Sequence, residues 1–175
     1  MDKKEEFAAR LIGNLLSSNS KKAYTLSREN FYGEKSNEKI SYSFCEGFFL
    51  FRYKGMKVYS GKKFLSESEI LSKFTKIDKR FLEKYKVYKN LREKGFILKS
   101  GSKYGADFSV YEKGKKPGRA HSTWLLSCIN SSEKIKWQEF ILKNRVANST
   151  KKQVLLAVND DEGNAIYYEV NWKKV

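Results

Sequence analysis

The chain is poor in the residues that build metal centres and covalent frames. It has one histidine, His121, and two cysteines, Cys45 and Cys128, that lie far apart with no CxxC spacing. Transition-metal sites draw on clustered His and Cys, so a zinc or similar centre is not expected, nor any other cofactor. The two thiols read as buried side chains in a reducing compartment, which points to the cytoplasm rather than to a disulfide-framed secreted domain. No stretch approaches the roughly 18 consecutive apolar residues that a spanning helix needs. The opening MDKKEEF is charged and lacks the apolar centre of a signal peptide. Proline occurs once, inside EKGKKPGR at 112–119. Acidic residues are also scarce: 20 Asp and Glu stand against 36 Lys and Arg.

That shortage of negative charge leaves a formal net charge of +16 in 175 residues. A bias of this size says nothing about fold, but it favours a polyanionic partner, nucleic acid before an anionic membrane surface. Hydrophobic residues make up 40% and aromatics 15%, enough to build a packed core and to exclude a disordered chain. The length allows one domain or two small ones.

Along the chain, Phe7, Leu11, Ile12 and Leu15 recur at helical spacing, which predicts a helix over 3–16. Short strands are expected around 23–26, a turn at Tyr32-Gly33, and a polar loop at 34–39. Residues 41–52 carry Phe44, Phe48, Phe49 and Phe51, too apolar for a surface helix and read as a buried one. Val58-Tyr59 suggests a strand. Ser66 with Glu69 fits a capping box for a helix to about 76. Asp78 can cap the next helix, which ends at Gly95. The second half reads as strands at 96–98, 106–111 and 121–129. A helix follows from Ser132 to about 147, with Trp137, Phe140 and Ile141 facing inward. A buried strand at 154–158, a turn at 160–164 and a last strand at 166–172 complete it. The fold class expected is therefore a small mixed α+β domain at 1–77, followed by an α/β domain at 78–175 whose central mixed sheet is flanked by helices.

The chemistry concentrates in KYGADFSVYEKGKKPGRAHST, residues 103–123, which holds the sole histidine. Metal-free cleavage of RNA by its own 2′-OH needs a base, an acid and a cation. Histidine suits the acid because its ordinary pKa lies near 6.5. With 11 tyrosines and 36 Lys and Arg, spacing alone does not select its partners, and a lone histidine is more often structural. The basic loop 112–119, with Lys115, Lys116 and Arg119, is suited to RNA phosphates. Asp160, Asp161 and Glu162 form an acidic loop that stands out in so basic a chain, although hairpin turns favour such residues in any case.

One resemblance selects among these readings. YKVYKNLREKGFILKSGSKYGADFSVYEKG at 85–114, AHSTWLL at 120–126, NRVANSTKKQVLLAV at 144–158 and the segment 165–172 together resemble, in order, the catalytic domain of the archaeal tRNA-splicing (tRNA-intron) endonucleases. The likeness is weaker over the first domain. It implies an endoribonuclease that excises introns from pre-tRNA at bulge–helix–bulge junctions without a metal, leaving 2′,3′-cyclic phosphate and 5′-OH ends. It implies Tyr111 as general base, His121 as general acid and Lys152 as the cation that steadies the transition state. Lys151, its neighbour, is expected on the opposite face of a strand, so that only one lysine enters the site. Arg145 and Trp172 correspond to a pair that clamps a flipped-out bulge base. The acidic loop at Asp160, Asp161 and Glu162 corresponds to one that docks on a neighbouring subunit of a homotetramer, or of a heterotetramer with a second structural subunit. Tyr104, Gly105 and Asp107 read as structural. The competing readings are a non-catalytic RNA-binding subunit of the same assembly and an unrelated metal-dependent nuclease.

Overall fold

The computed structural model describes residues 6–160, 162 and 164–173. The chain divides into two compact units, one ending at Leu82 and the other beginning at Glu83. No helix among the described residues is long and apolar enough to cross a membrane.

The first unit contains β1 (Phe7–Ile12), β2 (Leu15–Ser18), α1 (Lys21–Asn30), β3 (Glu34–Ser36), β4 (Lys39–Tyr42), α2 (Phe44–Tyr53), β5 (Met56–Ser60), β6 (Lys63–Phe64) and α3 (Glu67–Ile77). Its strands form one sheet in the order β3-β4-β2-β1-β5-β6. Where a helix is expected over 3–16 the structure has a hairpin from Phe7 to Ser18, and residues 3–5 of that expectation lie outside the described residues. Leu11 faces Leu16 and Ile12 faces Leu15 across a two-residue turn whose Gly13 has φ +56. Phe7, Leu11 and Leu15 fit a helical period, but burial along β1 alternates strictly, with Phe7, Ala9 and Leu11 inside. Parallel pairing with β5 uses the backbone groups that a helix would have kept to itself.

The strands expected at 23–26 are instead a helical turn. Ser20 caps α1 by accepting from Ala23 N, and Ala23 and Leu26 are its buried residues, spaced for a helix. The loop expected at 34–39 holds a short edge strand, β3, paired with β4. The buried helix expected at 41–52 is present as α2. A capping box between Ser43 and Glu46 opens it, and Cys45 to Leu50 are buried. Gly47 lets it approach β2 closely: a Cβ there would lie 2.1 Å from Leu16 Cδ2. Glu46 is buried too, and its carboxylate accepts from Gly33 N (2.9 Å), Ser43 N and Ser43 Oγ (both 3.1 Å), which ties the turn at Tyr32-Gly33 to the helix start. The predicted Ser66–Glu69 capping box opens α3. Asp78 Oδ1 accepts from Arg80 N just before the next helix begins.

The second unit is built on α4 (Phe81–Glu93), β7 (Ile97–Ser100), a 3-10 turn (Ser102–Tyr104), β8 (Phe108–Tyr111), β9 (Trp124–Asn130), α5 (Trp137–Ser149), β10 (Gln153–Asn159) and β11 (Ala165–Val170). The five strands are ordered β11-β10-β9-β8-β7, with β9 and β10 parallel and the other pairs antiparallel. Strand alternation places the two helices on opposite faces. Phe108, paired with Leu126, meets Tyr88 of α4 at 5.8 Å between ring centroids. Leu125, Val154 and Leu156 pack with Ala147 of α5 on the other. Cover on both sides is why β9, WLLSCIN, reads as a nearly continuous apolar run. Asp107 fastens the start of β8: its Oδ2 accepts from Cys128 N at 2.8 Å and its Oδ1 lies 3.4 Å from Lys84 Nζ. The expected structural role of that aspartate is the one it has.

Two boundaries differ from expectation in ways that matter below. The last helix begins at Trp137 rather than near Ser132, and Trp137 and Ile141 are exposed, at 75% and 45%; only Phe140 of the three packs against the core. The final strand ends at Val170, so Trp172 lies beyond it.

Candidate functional site

His121 lies in the loop that leads from β8 to β9, and Lys152 lies between α5 and β10. One residue brings them together. Thr123 donates its N–H to Val110 O of β8 and accepts at its own carbonyl from Gln153 N of β10, both at 2.9 Å. The stretch carrying His121 is thereby laid beside the stretch carrying Lys152. Both side chains line a cleft of about 600 Å³, with Glu112, Lys115, Asn148 and Lys151 among the other walls.

The cleft is strongly cationic. Lys115 Nζ is 2.6 Å from Glu112 Oε2 and donates to Thr123 Oγ1 at 3.2 Å. Glu112 is the single carboxylate among the lining residues and is already engaged. Lys152 is half-buried; its Nζ donates to Thr150 O at 3.2 Å and sits 5.3 Å above the ring of Tyr104. Tyr104 therefore carries the lysine as well as shaping the turn at Gly105, whose φ is +68.

Tyr111 ends β8, opposite Ile97 of β7. Alternation from Phe108 puts it on the sheet face that α5 covers, the side of the cleft. It is half-buried and is not among the cleft's lining residues, whereas Glu112, next to it, is. His121 and Lys152 are thus brought into one space, with Tyr111 at its margin.

A second cleft, of about 420 Å³, lies along α5. Phe140, Ile141, Asn144 and Arg145 form one wall, and Val170, Asn171 and Trp172 the other. Arg145 and Trp172, far apart in sequence, face the same space. The exit of β11 is set by Glu169, whose carboxylate accepts from Asn171 Nδ2 (3.0 Å) and Trp124 Nε1 (2.7 Å). These two bonds hold the Glu169 carboxyl below the usual carboxylate range. Asn148 lines both clefts and joins them. Its place was legible, since it follows Arg145 by three residues on a helix.

Lys116 and Arg119 are exposed in the loop 112–119, outside either cleft. In the acidic turn, Asp160 accepts from Asn164 N (2.6 Å) and Asn164 Nδ2 (3.2 Å), so its carboxylate closes the turn. Glu162 is exposed, and Asp161 lies outside the described residues. The expectation for Lys151 needs correction. Neither lysine belongs to a strand, because β10 starts at Gln153, and Lys151 has φ +54. Strand alternation does not apply, and both residues line the cleft.

Comparison with known proteins covers both units. Residues 81–168 match the family described as tRNA intron endonuclease, catalytic C-terminal domain, and residues 8–71 match tRNA intron endonuclease, N-terminal domain. Among individual relatives, a tRNA-splicing endonuclease of Nanoarchaeum equitans is 43% identical over 135 residues, 74% of this chain and 86% of its own length. One of Pyrococcus furiosus is 36% identical over 143 residues, 82% of each chain. One of Thermococcus onnurineus is 33% identical over 172 residues, 98% of this chain and 99% of its own.

Proposed function

The chain belongs to the tRNA intron endonuclease family, and from that premise we propose that it cuts precursor tRNA at the bulge–helix–bulge junctions that flank an intron. The reaction is in-line attack of a 2′-OH on its own phosphate, giving a 2′,3′-cyclic phosphate and a 5′-OH. The observation that carries this reading is the Thr123 anchor, which sets the sole histidine and a half-buried lysine in one cationic cleft.

His121 is the general acid: exposed at the cleft wall, it can reach a leaving 5′ oxygen and return a proton to it. Lys152 stabilises the charge that builds on the phosphorane, and its hold on Thr150 O and Tyr104 orients the ammonium before substrate arrives. Tyr111 acts on the 2′-OH from the margin, as base or by orienting the hydroxyl. Arg145 and Trp172 take a flipped-out bulge base in the adjoining cleft, stacking on its faces without reading its edge. Lys115, Lys116 and Arg119 meet backbone phosphates. The two clefts share Asn148, so a flipped base and the cut phosphate beside it can be held together.

The working unit in this reading is an oligomer, a homotetramer or a heterotetramer with a second subunit. Ile166 and Tyr168 of the outer strand β11 are 58% and 53% exposed, a surface suited to a second copy, and Glu162 is exposed in the acidic turn, where it can dock on a neighbour.

The test is to incubate the purified chain with an intron-bearing pre-tRNA in excess EDTA and to map the cuts and their end groups. Cuts in both bulges with cyclic phosphates are the expected outcome. Loss of cutting in EDTA, restored by a divalent metal, overturns the mechanism. Binding without cutting, alone or with a second subunit, makes the chain a non-catalytic subunit.

A further inference from the structure

The end of α5 is a Schellman motif with an unusual residue at its turning point. Lys152 N donates to Ala147 O at 2.8 Å and Lys151 N donates to Asn148 O at 3.0 Å, the two reversed bonds that define it. The residue at the turning point must adopt a left-handed backbone, and Lys151 does so at φ +54. Glycine is usual there because it has no Cβ to collide with the preceding carbonyl. A long cationic side chain carries a strain that glycine or asparagine would avoid, and such strain is retained where the side chain serves a purpose. Here the strained residue is one of those that line the cleft with His121 and Lys152.

The same turn explains why two successive lysines can share one space. In a strand their side chains would diverge. With the left-handed Lys151 between α5 and β10, Lys151 and Lys152 both line the cleft, together with His121 and Lys115. Three lysines then surround a space with one carboxylate, and that carboxylate is bonded to Lys115. A single scissile phosphate carries one negative charge. The surplus of cation matches more than one phosphate.

We propose that Lys151 is a phosphate-binding residue of the site, holding the backbone phosphate next to the one that is cut, while Lys152 serves the cut phosphate itself. This rests on the cleft being the RNA-cleaving site. Lys151 would then act on substrate position and affinity, and only weakly on the chemical step.

The experiment compares Lys151→Gln, Lys151→Gly, Lys151→Arg and Lys152→Met in the full chain, with pre-tRNA as probe. It reads the half-saturating protein concentration, the rate at saturation, the salt dependence of binding, and Tm. Lys151→Gln and Lys151→Gly are expected to raise the half-saturating concentration about 3–10-fold and to reduce the salt slope by about 1. Their saturating rates stay within about threefold of wild type. Lys151→Arg keeps the wild-type slope. Lys151→Gly keeps or raises Tm, because the left-handed strain is gone.

Wild-type affinity and salt slope in both Lys151→Gln and Lys151→Gly overturn the proposal, leaving a solvated side chain. So does a lowered Tm in Lys151→Gly together with an unchanged slope, which makes the side chain a structural prop. A saturating rate that collapses in Lys151→Gln but not in Lys152→Met overturns it differently, by exchanging the two roles. If wild type binds pre-tRNA but never cuts it, the cleavage reading fails, and the slope measurement still decides whether Lys151 holds a phosphate.

Discussion

Lys152→Met separates charge from packing, because methionine keeps most of the unbranched stem and removes the ammonium. The fold gives up one hydrogen bond, to Thr150 O, and the approach of the ammonium to the Tyr104 ring. At a half-buried site these amount to about 1 kcal/mol, so Tm should fall by less than about 4 °C. The catalytic loss is larger. A unit charge about 4 Å from a developing negative charge contributes about 4 kcal/mol at an effective dielectric near 20, and about 1 kcal/mol in bulk water. Lys152 is half-buried in a cleft, nearer the first limit, so the rate at saturating RNA should fall by about 10²–10³. The assay is single-turnover cleavage with protein in excess over labelled pre-tRNA, alongside a binding titration. Affinity should change far less than rate. A saturating rate within about threefold of wild type, with normal Tm, refutes the reasoning, since it would mean that no charge develops near Lys152.

Three further outcomes follow from other parts of the molecule. His121→Ala should slow cleavage by about 10²–10⁴ at saturation with RNA binding largely kept, because an exposed side chain is removed and no element depends on it; unchanged cutting rejects the general-acid role. Glu46→Ala should cost about 3 kcal/mol and lower Tm by about 6–12 °C in a melting experiment, since it leaves Gly33 N and Ser43 N without their acceptor beside a buried helix start. Tyr167 is pushed up to about 12, first by burial and then by Cys128, from an ordinary value of 10.0. Its raised value stabilises the fold below pH 10, and that stabilisation is lost as pH rises from 10 toward 12, where the unfolded phenol ionises first. Tyr167→Phe should therefore lose Tm less steeply than wild type over that interval, while losing its bond to Asn90 at neutral pH; parallel curves would contradict the assignment.

Much of the second unit, and α3 of the first, was legible because the signals are local or redundant. The apolar runs of β9 and β10 have few alternatives once both sheet faces are covered. Gly95 and the aromatic spacing of 81–91 mark α4, and the Ser66–Glu69 box marks α3, because a cap joins residues three apart. Residues 7–18 were not legible in this way. Phe7, Leu11 and Leu15 satisfy both a helical and an extended period, and the choice is made by β5, some forty residues on, which offers backbone partners. The polar stretch at 34–36 is a strand only because β4 lies beside it.

The site divides along the same line. The order of amino acids carries the chemical inventory: one histidine, an excess of lysine, an arginine and a tryptophan in the last third of the chain, and the succession of blocks that marks the family. Tertiary structure decided which of these share a space. Thr123 brings the His121 and Lys152 stretches together through bonds to two different strands, and the exit of β11 turns Trp172 toward Arg145. It also decided that both lysines enter the cleft. A strand would have sent them to opposite faces, but a left-handed turn at the end of α5 is set by two backbone hydrogen bonds to carbonyls of that helix, and a lysine in the place of glycine gives no sign of it in the sequence.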